Sequence, residues 1–376
     1  MKLIRELSDI DGNFKIESVG EKKVEWHSLS DDKFRLTGVF FDEETKMYRR
    51  FPKQIGDKIS DSIVKVASHT AGGRLSFKTN SPFVAIRAVV PYASIPNHMT
   101  VMGYYGFSVY SNGCYAGTSF PDWREVVKKG DVISFEYDSM KKIPFENVVN
   151  VTRMVNTSDI NDIDIYFPNY NGVLEVYIGL EENSIIRGPE PFSYGKKVVF
   201  YGSSIEQGAS ASHPGNDYIN LISSEMNVEV MNLGFSGNCK GQPEFAKFLA
   251  SIDAGLYVVA YDYNAITHEE LEANHYNFYK TLRAVNKTTP ILFTTRPNIE
   301  LNESVEKRRQ IVYDTYKKGV EAGDKNLYFA DGALFFGKKF RRACTVDGCH
   351  PTDLGFSRMA ENIMPLIKDI MSKNKI

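Results

Sequence analysis

Residues 198–208 read VVFYGSSIEQG. A run of β-branched and aromatic residues, the usual material of a strand, stops at Gly202, and Ser203 and Ser204 follow at once. Two readings fit: a turn rich in small residues, or a nucleophile mounted at the end of a strand. The sequence on either side bears on the choice.

Downstream, strands and helices alternate. KKVVFYG, VEVMNLG, GLYVVAYD, PILFTTR and NLYFADG read as strands. DYINLISSEM, PEFAKFLASI, THEELEANHYNFYKTLRAV, ESVEKRRQIVYDTYKKGVEA and DLGFSRMAENIMPLIKDIM read as helices between and after them. This alternation implies a short parallel sheet covered on both faces, a three-layer α/β/α domain with right-handed crossovers. Upstream the rhythm differs. Residues 60–185 hold short β-rich runs, among them SIVKVAS, GRLSFKTN, FVAIRAVV, GFSVYSNGCYAGTSF, DVISFEYD, IDIYFP and VLEVYIGL, and FRLTGVFF is a further candidate strand. Several alternate apolar and polar residues, which fits an all-β sandwich of jelly-roll type. The switch falls in IIRGPEPFSYGKK, residues 185–197. The expected division is 1–190 for an accessory β-sandwich domain and 191–376 for the α/β domain.

Composition narrows the function classes. The chain has 376 residues, of which 42% are hydrophobic and 24% charged, room for a full core in each of two domains. The formal net charge of −2 supplies no basic surplus, so nucleic acid is not an expected partner. No run of about 18 apolar residues suggests a membrane span, and the first residues lack the apolar core of a secretory signal. Cys114, Cys239, Cys344 and Cys349 form no CxxC pair, so neither a zinc site nor a disulfide framework is expected. Reduced thiols and a cytoplasmic location are the simplest reading. Oligomeric state leaves no mark in the sequence.

Ligands of open parallel sheets bind beyond the carboxyl ends of the strands. There this sequence places Ser203 and Ser204, then Gly234, Ser236, Gly237 and Asn238 in NLGFSGN, Asp262 and Asn264 in YDYNAIT, Arg296 in TTRPN, and Asp347 and His350 in TVDGCHPTDLG. Together they suit acyl transfer. A serine hydroxyl needs a base, which His350 can supply, and an imidazole needs a partner to fix its tautomer, which Asp347 can supply from the same loop. A tetrahedral oxyanion needs donors, available from the glycine-rich turn, the Asn264 amide and the Ser204 N–H.

These blocks resemble the SGNH hydrolases, or GDSL-type esterases and lipases. YGSSIEQG aligns Ser204 with the family nucleophile, NLGFSGN aligns Gly237 with the oxyanion glycine, YDYNA aligns Asn264 with the oxyanion asparagine, and Asp347 and His350 match the Asp-x-x-His block. Two departures stand out: Ser203 replaces the usual aspartate beside the nucleophile, and YDYNA lacks the leading Gly and trailing Asp of Gly-x-Asn-Asp. The resemblance spans about residues 197–370. GNDY, NLGFSGNCKGQPE and DGCHPTDLG point to a bacterial subfamily with a preceding β-domain, which YRRFP, GGRLSFKTNSP and HMTVMGYYGFSVY also resemble.

The resemblance implies a serine esterase acting through an acyl-enzyme on short-chain esters such as acetyl, with acetylated carbohydrate, a small molecule or an oligosaccharide, as substrate and no metal or cofactor. An acyltransferase with the same triad and a non-catalytic carbohydrate-binding protein on this scaffold are the rivals. Other residues have plainer readings: His213 as a loop residue, His268 and His275 as helix residues without a third metal ligand, EKRRQ as a solvated face, and GYYGFSVY as buried strand aromatics. Arg296 suits a substrate contact or a structural ion pair equally.

Overall fold

The structure is a computed structural model that describes residues 19–20, 22–126, 137–151, 159–298 and 302–376. In the first half, strands Val24–Ser28, Glu175–Glu181, Phe83–Ala93 and Tyr137–Asn150 form an antiparallel sheet in that spatial order. A second sheet runs Ile186–Arg187, Arg74–Thr79, Asn161–Tyr166, Phe107–Ser111 and Cys114–Ser119, with Arg35–Thr37 also paired to Arg74–Thr79. Alternation along these strands sends Leu75, Phe77, Ile86, Val109, Ile163, Ile165 and Ile178 into one buried core between the sheets. Phe107–Ser111 and Cys114–Ser119 form a hairpin whose turn is Asn112-Gly113, both at positive φ (49° and 76°), as a tight hairpin turn requires.

Two local readings are corrected. SIVKVAS is not a strand: Asp61–Val66 is a helix, capped by the Ser60 hydroxyl accepting from Ile63 N at 3.2 Å. Ile63, Val66 and Ala67 have helical spacing, which a short alternating run disguises. FRLTGVFF is two strands, Arg35–Thr37 and Phe40–Asp42, broken at Gly38. A side chain there would meet Gly72 O at 2.1 Å. In DVISFEYD, residues 131–136 lie outside the described residues.

The second half holds a five-stranded parallel sheet of Lys197–Gly202, Val230–Gly234, Ala254–Ala260, Ile291–Thr294 and Leu327–Ala330, in the spatial order second, first, third, fourth, fifth. Both faces are apolar. Val199, Tyr201, Tyr257 and Val259 pack under helices Pro243–Ala250, His268–Val285 and Glu303–Glu321. Val198, Phe200, Leu256 and Val258 pack under Tyr218–Met226 and Asp353–Lys373. This is the expected three-layer arrangement. No described helix is long and apolar enough to cross a membrane.

The halves are stitched together. Phe51, Ile63 and Ala67, from the first half of the sequence, sit in the core of the parallel-sheet layer. Arg50 is fully buried and donates to the carbonyls of Val66 (3.0 Å), His69 (2.6 Å), Asn232 (3.0 Å) and Gly234 (2.8 Å). Val230–Gly234 is an edge strand, and Arg50 takes two of its carbonyls. Gly72 and Gly103 permit close approach, since a Cβ would lie 2.6 Å from Asn232 Cβ and 2.4 Å from Ala211 O respectively.

Candidate active site

The first strand ends at Gly202, paired with Gly234 on one side and Ala260 on the other. The turns that follow these three residues therefore meet at the point where strand order reverses. Helix Ser204–Gln207 starts immediately. Ser203 is its N-cap: the hydroxyl accepts from Ile205 N at 3.1 Å, and the Glu206 carboxylate accepts from Ser203 N at 2.6 Å. This reciprocal capping box ends the strand and starts the helix within one residue. Gly208 closes the helix at φ 88°. Ser204 becomes the first helical residue, part-exposed at the strand end.

Ser204 Oγ lies 3.0 Å from His350 Nε2, and His350 Nδ1 lies 2.7 Å from Asp347 Oδ2. A carboxylate only accepts, so Nδ1 carries the proton and Nε2 is free to accept from the serine. Asp347 Oδ1 also accepts from the backbone N–H groups of Cys349 (2.9 Å) and His350 (2.7 Å), which folds the DGCH loop around it. Burial alone would raise the Asp347 carboxyl, but the His350 hydrogen bonds and the Cys349 N–H outweigh it and hold the group at about 2. The Asp347 carboxylate, Cys349 thiol and His350 imidazole lie within 4.8 Å of one another, close enough to hold a metal ion. The His350–Asp347 hydrogen bond already engages two of the three, and burial pushes the thiol pKa up, away from the thiolate a metal prefers.

Gly237 sits at φ 68° with open space where a side chain would be. Its loop is pinned by Ser236 N donating to Gln207 Oε1 at 3.0 Å. Asn264 Nδ2 donates to Phe235 O at 3.2 Å, which ties the third-strand loop to the second and leaves the other amide hydrogen available. Ser204, His350 and Asp347 thus form one hydrogen-bonded chain, and Gly237 and Asn264 lie on the linked loops that follow the second and third strands.

The first half contributes to the site through particular residues that the sequence does not single out. His98 stacks on His350, with centroids 4.8 Å apart and planes 17° apart. Tyr170 OH donates to Ser204 O at 3.3 Å. Gln207, fully buried, donates to Asn169 O at 3.1 Å and lies 2.9 Å from His69 Nδ1. Burial, with Arg50 nearby, drops His69 to about 3, so its ring is neutral and accepts that amide. No local sequence pattern marks these residues, because each works across the joint between the halves.

The remaining candidates have structural places. His213 stacks on Tyr115 at 4.0 Å and 14°, and so joins the two halves rather than lining a plain loop. His275 is buried against Tyr261 and Phe293, while His268 Nε2 lies 3.0 Å from Ser304 Oγ, and the two share no metal cluster among the described residues. Arg296 stacks over Tyr263 at 3.6 Å and donates to Gly348 O at 3.4 Å, supporting the DGCH loop. Its backbone N–H donates to Asp262, whose carboxyl burial raises to about 6. In GYYGFSVY, Tyr105 and Phe107 are fully buried.

A family model described as GDSL-like lipase/acylhydrolase matches residues 195–368. A second, the N-terminus of SGNH-hydrolase-type esterases, matches residues 24–186. The chain belongs to the SGNH, or GDSL-like, hydrolase family. No curated protein matches this SGNH hydrolase in sequence. Among solved structures it is similar to a GDSL-like lipase from Bacteroides ovatus, at 27% identity and TM-score 0.76, over 93% of this chain and 98% of that one. It shares its fold with the salicylyl-acyltransferase SsfX3 of a tetracycline biosynthetic pathway, at 17% identity and TM-score 0.70, over 92% and 97% of the two chains. A family two carbohydrate esterase from Clostridium thermocellum, in complex with cellohexaose, has the same fold at 11% identity and TM-score 0.59, over 90% and 99%. The two-domain architecture is common to this SGNH esterase and these structures.

Proposed function

We propose that this SGNH hydrolase cleaves short-chain, acetyl-type esters of carbohydrates through an acyl-enzyme on Ser204. The observation that carries the reading is the unbroken chain from Ser204 Oγ to His350 Nε2 and from His350 Nδ1 to Asp347 Oδ2, at 3.0 and 2.7 Å. Ser204 Oγ attacks the ester carbonyl while His350 Nε2 takes its proton, and Asp347 stabilises the imidazolium. The N–H groups of Gly237 and Ser204 and the free hydrogen of the Asn264 amide stabilise the oxyanion. His350 then returns the proton to the leaving alcohol and activates a water that releases the acid. These steps use only the chain's own residues. A complete triad speaks against a purely non-catalytic carbohydrate-binding role.

The carbohydrate reading draws on the fold shared with the Clostridium thermocellum esterase and with an acetyl xylan esterase from Butyrivibrio proteoclasticus, at 11% identity and TM-score 0.57. Acyl transfer is the second reading, favoured by the fold shared with SsfX3. Turnover of 4-nitrophenyl acetate by wild type and Ser204→Ala tests the mechanism, with a loss of several orders of magnitude expected. Retained activity would overturn it. Acetylated xylo- and cello-oligosaccharides, assayed with and without an alcohol acceptor, test the substrate. Faster turnover of long-chain esters would overturn the acetyl reading, and acyl product on the acceptor in place of free acid would favour transfer.

A further inference from the structure

Glu206 is 3% exposed and lies directly beneath the nucleophile turn. Its Oε2 accepts from Ser203 N at 2.6 Å and from Ser203 Oγ at 2.8 Å, and its Oε1 accepts from Tyr218 OH at 3.1 Å. Gly202 makes room for it, since a Cβ there would lie 2.3 Å from Oε2. Three donors and a missing side chain thus converge on one carboxylate adjoining Ser204, and the triad chemistry does not use it. An aspartate at 203 would drive a second carboxylate into the position where the Ser203 hydroxyl now meets the first.

We propose that Glu206 is a positioning residue for Ser204, and that positions 203 and 206 hold one carboxylate between them and not two. The inference rests on the reading of Ser204 as nucleophile. The N-cap hydroxyl at 203 and the carboxylate at 206 are a matched pair. Removing Glu206 strands Ser203 N and Tyr218 OH in a buried site. Moving the carboxylate to 203 at the same time returns a single carboxylate to this pocket and keeps the acceptor for Ile205 N.

The test compares Ser203→Asp, Ser203→Asn, Glu206→Ala and the double variant Ser203→Asp/Glu206→Ala. The readouts are kcat and KM on 4-nitrophenyl acetate, the rate of labelling of Ser204 by a fluorophosphonate, and the unfolding midpoint. Each of Ser203→Asp and Glu206→Ala is expected to lower kcat and the labelling rate roughly 10-fold or more, as burying an extra charge or orphaning buried donors should. KM should move little. The double variant should be faster than either single one, and Ser203→Asn about 10-fold faster than Ser203→Asp, because it matches the size without the charge. Additive losses in the double variant, or equal loss in Ser203→Asn and Ser203→Asp, would overturn the coupling. Coupled midpoints with unchanged kcat and labelling rate would make Glu206 merely structural and overturn the positioning role. An active Ser204→Ala would instead remove the nucleophile assignment, while the coupling would still register in the midpoints.

Discussion

The imidazole of His98 lies face to face with that of His350, 4.8 Å between centroids. His98 comes from the loop after strand Phe83–Ala93 of the β-sandwich, and His350 from the loop before the last helix of the α/β domain. Thr100 Oγ1, two residues on, donates to Ser212 O at 2.6 Å and also accepts from Gly103 N at 2.8 Å, which fixes the loop against the second domain. The β-sandwich therefore covers one face of the His350 ring, the proposed base. Burial lowers the His98 pKa, and the neighbouring His350 adds to that while Asp347 opposes it. A neutral ring beside the base favours the imidazolium that forms in the reaction, whereas two charged rings would repel.

His98→Ala should lower kcat/KM about 3- to 10-fold, the order of one aromatic contact, while His98→Phe, which keeps a ring over His350, should stay near wild type. Steady-state kinetics at pH 8 on 4-nitrophenyl acetate decide this. Equal activity of Ala, Phe and wild type would show that the stack does not support the base.

Asp347→Asn should cost roughly 10^3- to 10^4-fold in kcat, because an amide no longer enforces the Nδ1–H tautomer. The native carboxyl, held at about 2, stays ionised throughout the usual assay range. Wild-type activity should therefore show no fall from Asp347 protonation above pH 4. A pH series of kcat/KM for both proteins tests the two expectations together.

The α/β domain was legible because its signals are local and periodic. Each strand of the parallel sheet is a largely apolar run; Ser204, Gly237 and Asn264 lie in the turns directly after the first three, and Asp347 and His350 lie in the loop that enters the last helix. Proximity of Ser204, Asp347 and His350 then follows from topology alone. The helix Asp61–Val66 reads as a strand because six residues do not separate alternation from helical spacing, and the parallel-sheet core it packs into is distant in sequence. His98, Tyr170 and Arg50 were not legible as site residues for the same reason. Their meaning lies in contacts across the domain joint, 34 residues away for Tyr170 and more than 100 for His98 and Arg50. Ser203 departs from the family pattern in sequence alone, but what explains the departure is its partner Glu206, three residues on in VVFYGSSIEQG. The Ser-x-x-Glu capping-box spacing was the signal that could have found it.

Arg50→Met should destabilise the protein by roughly 3 kcal/mol or more, since it removes the buried donor shared by the carbonyls of Val66, His69, Asn232 and Gly234, of which Val66 O keeps the His69 N–H. Burial lowers the Arg50 pKa to about 9, so the guanidinium remains charged at neutral pH and its bonds to these carbonyls are charge-assisted. Because Asn232 also donates to Glu206 O at 2.7 Å, loosening of the edge strand should reach the nucleophile helix. Urea unfolding gives the stability change, and a fall in kcat below the midpoint of unfolding reports the second effect. A variant as stable as wild type would show that water replaces Arg50 at this joint.

Glu206 also sets a pH dependence of stability. Burial raises its carboxyl from 4.5 to about 7, against hydrogen bonds from Ser203 and Tyr218 that pull it down. The folded state thus holds its proton more tightly than the unfolded chain. The associated stability is fully present below about pH 4.5 and is lost as pH rises through 7. Glutamine at 206 is neutral at every pH and can still accept from Ser203 N. The unfolding midpoint of Glu206→Gln minus that of wild type should therefore rise between pH 4.5 and 8, by an amount equivalent to a few kcal/mol at most. Asp217 and Asp262, each raised to about 6 by burial, are unchanged in this comparison and cancel from the difference. A difference that stays flat across this range would mean that Glu206 titrates as it does in the unfolded chain, with its three hydrogen bonds offsetting its burial in full.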